Sequence, residues 1–416
     1  MYFLNPQKGW VTNPYYNYLS PNQFGQVWTT DDGGATWNKI FDSSLTFIRC
    51  VGFADPMHGW FGNLAETGIT PDTNFMYQTM DGGHTWTPVT NFTGPKPAGI
   101  CGISVVTDSV VYAYGRIDRP ARIMKTVDKG NSWVSTDMSA YADFLIDGWF
   151  FSRDTGIVVG GFGQPAVARV LSTYDGGATW QVRYTGSTTY ETCWKVTFPS
   201  RNVGYASVES GIDQQPTLPQ GMHVLKTTNG GVTWTPMLVT PGYYDLQGIG
   251  FINDTVGWVG GDAVDSMTWK TTDGGLTWAK DSTFGVQAPP FNTVYHGYAI
   301  NRFRRFGDSL MYACGNTVYK LQTNNTGIKH TNSIAGEINL FPNPAANGSE
   351  VFIKTAKEYD LLVVEVSDMA GRVLRTEQLT GSSLVHKLNG VLPCGLYLVN
   401  IKIEGHPAVS QKLEVR

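Results

Sequence analysis

Carboxylates beside aromatic rings are the groups in this chain best suited to chemistry. Glu66 and Asp72, Glu209 and Asp213, and Asp262 and Asp265 belong to three long connections, 63–74, 209–221 and 261–266. Tyr190, Glu191, Trp194, Tyr243, Tyr244, Tyr295 and Tyr298 stand at strand starts or between structural units. Such a mixture suits carbohydrate and equally suits a peptide or protein surface. Hydrolysis of a glycosidic bond would need two of the carboxyl groups ~5–10 Å apart. A second set is more regular. Asp32, Asp81, Asp128, Asp175, Asn229 and Asp273 each precede a tryptophan by five positions: Trp37, Trp86, Trp133, Trp180, Trp234 and Trp278. Asn229 keeps the acceptor oxygen and discards the acid, and side chains spread around a repeat cannot converge on one substrate. These six read as structural.

The elements that position both sets follow from the repeat. Each member of the second set lies in a turn of the form Thr-x-Asp-x-Gly-x-Thr-Trp, as in Thr30 to Trp37, recurring at intervals of 44 to 54 residues. A period of that length marks a repeat architecture. A second anchor precedes each turn, as in Phe3 with Gly9-Trp10, Phe53 with Gly59-Trp60 and Phe251 with Gly257-Trp258. The polar link inside this anchor reads as a hairpin, a third strand runs into the Asp turn and a fourth leaves it. Four short antiparallel strands describe a propeller blade. Leu310–Gly315 and Asn316–Leu321 continue the pattern in a seventh copy, whose turn has faded to Thr323–Gly327 without tryptophan. The expected fold is all-β: a seven-bladed propeller over 1–328, a linker at 329–337, and a small Ig-like β-sandwich over 338–416. Blade one starts close to Met1, so the chain is expected to open inside a strand, as a mature exported protein or a truncated one would.

Bulk properties narrow the partners. A net charge of −4 and pI near 6.0 give no electrostatic reason to expect nucleic acid or an anionic membrane. Arg302, Arg304 and Arg305 are the densest basic cluster, and Arg116, Arg119 and Arg122 share one loop that could hold an anion. No apolar run approaches the ~20 residues of a membrane-spanning helix. Cys50, Cys101, Cys193, Cys314 and Cys394 are far apart, with neither metal-ligand nor disulfide-framework spacing, and read as small apolar fillers of strands. No cofactor or metal is expected.

The turns resemble the Asp-box, or bacterial neuraminidase repeat, over units one to six. That family includes sialidases, xyloglucan hydrolases and sortilin-type receptors. The cadence Gly-Trp-x-x-Gly followed by Lys-Thr-x-Asp-Gly-Gly-x-Thr-Trp looks most like the photosystem II stability and assembly factor type. The resemblance implies a box between the third and fourth strands of each blade. It does not carry activity across. A sialidase would need an arginine trio and a Tyr–Glu pair. No Arg-Ile-Pro motif occurs, and adjacent Tyr190 and Glu191 would point to opposite faces of a strand.

The last eighty or so residues resemble the type A sorting domain of the type IX (Por) secretion system. The landmarks are Pro342-Asn343-Pro344, Asp368 with Gly371-Arg372, Gly395 with Tyr397, and the ending from Lys412. This implies the type IX machinery as a partner, and a secreted or surface-attached protein. The reading favoured is an exported propeller that binds or scaffolds a glycan or protein. A secreted glycoside hydrolase with carboxylates on the long-loop face is the alternative.

Overall fold

The computed structural model describes residues 1–15, 24–43, 45–64, 72–115, 120–210, 221–241, 246–261, 268–281, 300–315, 318–322, 338–355, 358–359, 361–368, 372–380, 383–403 and 409–416. It divides into two compact units, Met1–Thr323 and Asn324–Arg416. Among the described residues the first unit consists of seven sheets, numbered here 1 to 7 in chain order. Their first, innermost strands are Tyr2–Phe3, Ile48–Phe53, Gly102–Val105, Phe144–Phe150, Glu191–Thr197, Leu246–Phe251 and Ile300–Phe306. Sheets 1, 2, 4, 5 and 6 have four strands in simple up-and-down order. Sheet 3 carries a fifth, Phe92–Thr93, laid parallel against Trp133–Asp137 by the connection arriving from sheet 2. Sheet 7 has three described strands, ending at Val318–Gln322.

Each sheet packs on the next, and sheet 7 packs on sheet 1. The ring is therefore closed, which leaves no sheet face without a neighbour. One contact recurs around it. An aromatic ring on the second strand of one sheet lies flat on the anchor phenylalanine of the next. Trp10 stacks on Phe53 at 3.7 Å, Tyr112 on Phe150 at 3.8 Å, Tyr205 on Phe251 at 3.6 Å and Tyr312 on Phe3 at 3.9 Å. The tyrosine hydroxyls then reach into the following sheet's turns. Tyr205 donates to Asp254 O and Gly274 O, Tyr112 to Arg153 O and Gly176 O, and Tyr312 to Pro6 O and Gly33 O. Lys125 and Lys226 Nζ donate to the same Gly176 and Gly274 carbonyls.

Three of the six Asp turns, the first, fourth and sixth, receive these bonds, and all six are built alike. In the first, Thr30 Oγ1 donates to Asp32 Oδ1 at 2.8 Å and accepts from Gly34 N, while Thr36 N and Oγ1 donate to the two carboxylate oxygens. Asn229 makes the same set, with Nδ2 donating to Thr233 Oγ1 in place of the reverse bond. Two consecutive residues of the turn take positive φ, Gly33 at 70° and Gly34 at 89°; in the third turn the first of these is Lys129 at 62°. An amide of each turn also donates to its own sheet's hairpin, as Gly176 N does to Asp154 O and Gly274 N to Thr255 O. Turns and hairpins therefore share one face of the ring. Trp133, Trp180 and Trp234 are buried between sheets, and Trp37, Trp86 and Trp278 are half-buried.

The second unit is a two-layer β-structure: a three-stranded sheet containing Ile338–Phe341, and a four-stranded sheet built on Leu361–Asp368 and Gly395–Ile403. Alternate residues Leu362, Val364 and Val366 meet Val399 and Ile401 in its core. Its landmark residues hold turns. Asn343 accepts from Glu414 N and donates to Lys412 O, Arg372 pairs with Asp368 at 3.1 Å, and Tyr397 donates to Pro393 O. Pro342 and Pro344 flank Asn343, and Gly371 and the 329–337 linker lie outside the described residues. Cys50, Cys101 and Cys193 are buried as expected of fillers, but Cys394 is exposed in the connection leading to Gly395.

Two outcomes follow. Tyr312→Phe keeps the stack at the ring seam but leaves two carbonyls unpaired, and should cost about 1–2 kcal/mol. Tyr312→Ala also empties the stack and should cost about 3–5 kcal/mol. Urea unfolding of the whole chain reads both. The second outcome concerns acid. Hydrogen bonds from Thr36, Thr179 and Thr277 hold Asp32, Asp175 and Asp273 at about 2, below the ordinary value of about 4 in an unfolded chain. A depressed acid stabilises the fold above its unfolded pKa and stops doing so as it protonates. The melting temperature should fall between about pH 4 and 2. Replacing the three aspartates by asparagine should flatten that fall, because the Asn229 turn has nothing to titrate.

Candidate binding cavity on the ring axis

The innermost strands do not alternate cleanly. Pairing with the second strand slips once in sheets 2, 4, 5, 6 and 7, between Ile48 and Cys50, Leu145 and Asp147, Cys193 and Val196, Leu246 and Gly248, and Ile300 and Arg302. Each slip is a bulge, in which extra residues oppose one partner and side chains are re-aimed. The residues so released are Arg49, Ile146, Trp194 with Lys195, Gln247 and Asn301. In five sheets at once, the bulges change what the strands present to the axis.

Two layers result. Toward the long-loop face, Leu64, Cys101, Ile146 and Trp194 form a buried apolar cluster with Phe47 and Phe144 against it. Toward the box face lies a cavity of about 220 Å³, lined by the strand halves that lead to the hairpins. Four cationic side chains, Lys195, Arg302, Arg304 and Arg305, line it together with one carboxylate, Asp147. Aromatic walls come from Tyr2, Trp149, Phe251 and Phe303.

Most of these charges are held. Asp147 is almost fully buried, accepts from Val196 N at 3.2 Å and pairs at 2.8 Å with Arg302 across the ring. Burial works against the Arg302 charge, but the Asp147 carboxylate outweighs it and raises the guanidinium pKa. Arg305 donates to Ile252 O and Pro199 O, stitching sheet 7 to sheets 6 and 5. Arg304 donates to Phe3 O and lies over the Tyr2 ring. Lys195 differs. It is 5% exposed, and its Nζ has no acceptor among the described residues; the Trp194 ring lies 5.6 Å away. Burial, with the Arg302 charge next in weight, brings its pKa down to about 8.

The residues singled out from sequence fall differently. Glu66, Asp213, Tyr243, Tyr244, Asp262, Asp265, Tyr295 and Tyr298 lie outside the described residues, as do Arg116 and Arg119. Asp72 caps its own connection, accepting from Asn74 N and Tyr77 OH. Arg122 begins a strand and pairs with Asp137 at 2.7 Å, so it is not part of a loop anion site. Trp194 belongs to the buried layer under the cavity rather than to an open loop. Tyr190 occupies the join before the strand at φ 64°. Glu191 is buried beside His223, Oε2 to Nε2 3.7 Å, and burial pushes its carboxyl up to about 7. Glu209 accepts from Gln247 Nε2, whose amide oxygen accepts from Asn301. The signal for the cavity was present in the sequence as charged residues inside otherwise apolar strands: Asp147 after Ile146, Lys195 between Trp194 and Val196. Among the described residues no group of three or more His, Cys, Asp or Glu is placed to hold a metal, and no helix is long and apolar enough to cross a membrane.

Residues 339–416 match the secretion system C-terminal sorting domain. The protein is exported, secreted or attached at the cell surface, and the type IX secretion machinery is its partner in that step. Comparison with curated proteins finds no match. Among solved structures the chain is similar to YCF48 bound to D1 peptide, with TM-score 0.51 and 17% identity over 77% of this chain and 92% of that one. YCF48 from Cyanidioschyzon merolae follows at TM-score 0.49 and 14% identity, covering 75% and 98%. An ulvan lyase of polysaccharide lyase family PL25 follows at 0.46 and 10%, covering 77% and 91%. At 17% identity the likeness to the first of these is one of fold alone, a β-propeller.

The cross-ring pair gives a stability test. Asp147→Ala leaves Arg302 and the Val196 amide without their partner. It should cost roughly 2–3 kcal/mol, below the usual range for a broken buried pair because Arg302 keeps part of its water. Asp147→Leu combined with Arg302→Met should recover much of the loss in urea unfolding. A double variant no better than Asp147→Ala would mean that the pair is not what holds these strands.

Proposed function

We propose that this exported propeller is a binding module, and that its ligand presents a carboxylate or sulfate to the axial cavity. The charge balance there carries the reading: four cationic side chains stand against one carboxylate, and that carboxylate is occupied. Cations held between low-dielectric walls concentrate anions from solution. The aromatic walls suit a sugar ring or an amino-acid side chain behind the charged group. The hydrolase reading would take its two carboxylates from the long-loop face, where Glu66, Asp213, Asp262 and Asp265 lie outside the described residues; the cavity lends it no such pair. Among the described lining residues Asp147 stands alone.

Thermal-shift titration of the whole chain with oligogalacturonate, a sulfated oligosaccharide and an acidic peptide, each beside a neutral counterpart, tests this. The anionic members should raise the melting temperature, by less as salt is added. Lys195→Gln should weaken the effect. Equal stabilisation by neutral ligands would remove the electrostatic basis, and release of reducing ends from a polysaccharide would restore the hydrolase.

A further inference from the structure

Among the described residues, Lys195 is the one cationic side chain of the cavity that is not engaged as a structural donor. Arg302 is spent on Asp147, Arg304 on Phe3 O, and Arg305 on the Ile252 and Pro199 carbonyls. The Lys195 backbone is fixed by its N–H bond to Ser207 Oγ, which itself donates to Gln247 O, so the bulge that carries it is clamped between sheets 5 and 6. The amine thus sits at a defined place in a lined cavity, beside the Trp194 ring and close enough to Arg302, Asp147 and Arg49 to be influenced by their charges, with the Asp147 carboxylate opposing burial and the two guanidinium groups.

A primary amine so placed is a nucleophile, and the surrounding cations select what it meets. We propose that Lys195 forms an imine with a small carbonyl compound that also bears a carboxylate, an oxo acid. The carboxylate is drawn in by the guanidinium groups, which rests on the anion reading above, and this brings the carbonyl carbon to Nζ. The neutral amine adds its lone pair to that carbon, and the carbonyl oxygen takes up a proton to give a carbinolamine. The nitrogen then pushes out this oxygen as water, so one C=O and two N–H bonds give way to one C=N bond and one molecule of water. Nothing is oxidised or reduced, and no co-reactant is needed. The supply of neutral amine follows from the depressed pKa of about 8. Roughly a tenth of Lys195 carries no proton at pH 7, against well under a hundredth of an ordinary lysine.

Reductive trapping tests this directly. The full chain is incubated with glyoxylate or pyruvate and cyanoborohydride, and adducts are mapped by peptide mass spectrometry. The expected result is labelling of Lys195 ahead of the exposed Lys39 and Lys387, already substantial at neutral pH. Lys195→Arg should lose this adduct, whereas Lys39→Arg, at an exposed residue paired with Asp42 outside the cavity, should leave both the adduct and the rise in melting temperature with oligogalacturonate unchanged. Labelling confined to surface lysines, or Lys195 labelled no faster than they are, overturns the proposal even if anions bind. Labelling of Lys195 by a neutral aldehyde as fast as by glyoxylate, with no competition from acetate, instead overturns its dependence on the anion site. If Lys195→Arg unfolds, protection of the parent chain by acetate against trapping separates the same outcomes without a variant.

Discussion

The structure depends on a stacked aromatic pair and the hydroxyl behind it. A flat stack at 3.6 to 3.9 Å fixes the separation of two sheets, but by itself would allow them to slide. The hydroxyl removes that freedom. Tyr205 reaches two carbonyls, one in the next sheet's hairpin and one in its Asp turn, and Lys226 reaches the second of these as well. Those carbonyls are aimed only because the turn is rigid, and the turn is rigid because Thr271 and Asp273 satisfy its amides. The box is therefore both a cap for its own strands and a socket for the neighbour's tyrosine. Where the socketed side chain is tryptophan or isoleucine, as at Trp10, Trp60 and Ile157, packing alone serves.

A ring locked in this way leaves the innermost strands crowded around one axis. Regular alternation would send every second residue inward at the same level from each sheet. The bulges stagger them instead. They place Trp194 and Ile146 in an apolar layer and Asp147, Lys195 and Arg302 beside it. Charge at the axis is tolerable because almost every group has a partner from a different sheet, so desolvation is offset by bonds that also tie the ring together. Arg305, which bonds to two sheets at once, is the clearest case. Lys195 stands outside that pattern, and this is why the cavity reads as a place for a ligand rather than as a structural core.

The parts of this arrangement that were readable from sequence are those encoded locally. The Asp turn spans eight residues from Thr to Trp, and its glycines, threonines and acceptor each have a role inside that span, so six copies announce themselves. The faded seventh turn and the change of composition after the last tryptophan are equally local. The sorting landmarks were readable for the same reason. The axis was not, because a bulge is only one or two unpaired residues in a strand and leaves no turn signal. Asp147 and Arg302 are 155 positions apart and meet only through closure. The double role of the turn carbonyls was hidden too, since backbone oxygens carry no residue identity. The charged groups of the cavity come from the strands themselves, where the sequence pattern reads as wall.

Closure also ties binding to folding. The cavity draws Asp147 from sheet 4, Lys195 from sheet 5 and Arg302 from sheet 7, with Tyr2 of sheet 1 at the seam. No pair of neighbouring sheets contains the site, so an open arc of the ring would lack it. A ligand held by these groups binds the closed state alone and stabilises it by mass action. The described cysteines are free, so no covalent link reinforces the seam between sheets 7 and 1. That seam is carried by Tyr312, Arg304 and the Phe3 stack. For a protein that works after export, seam and site are one constraint: whatever fills the axis also helps to keep the ring shut.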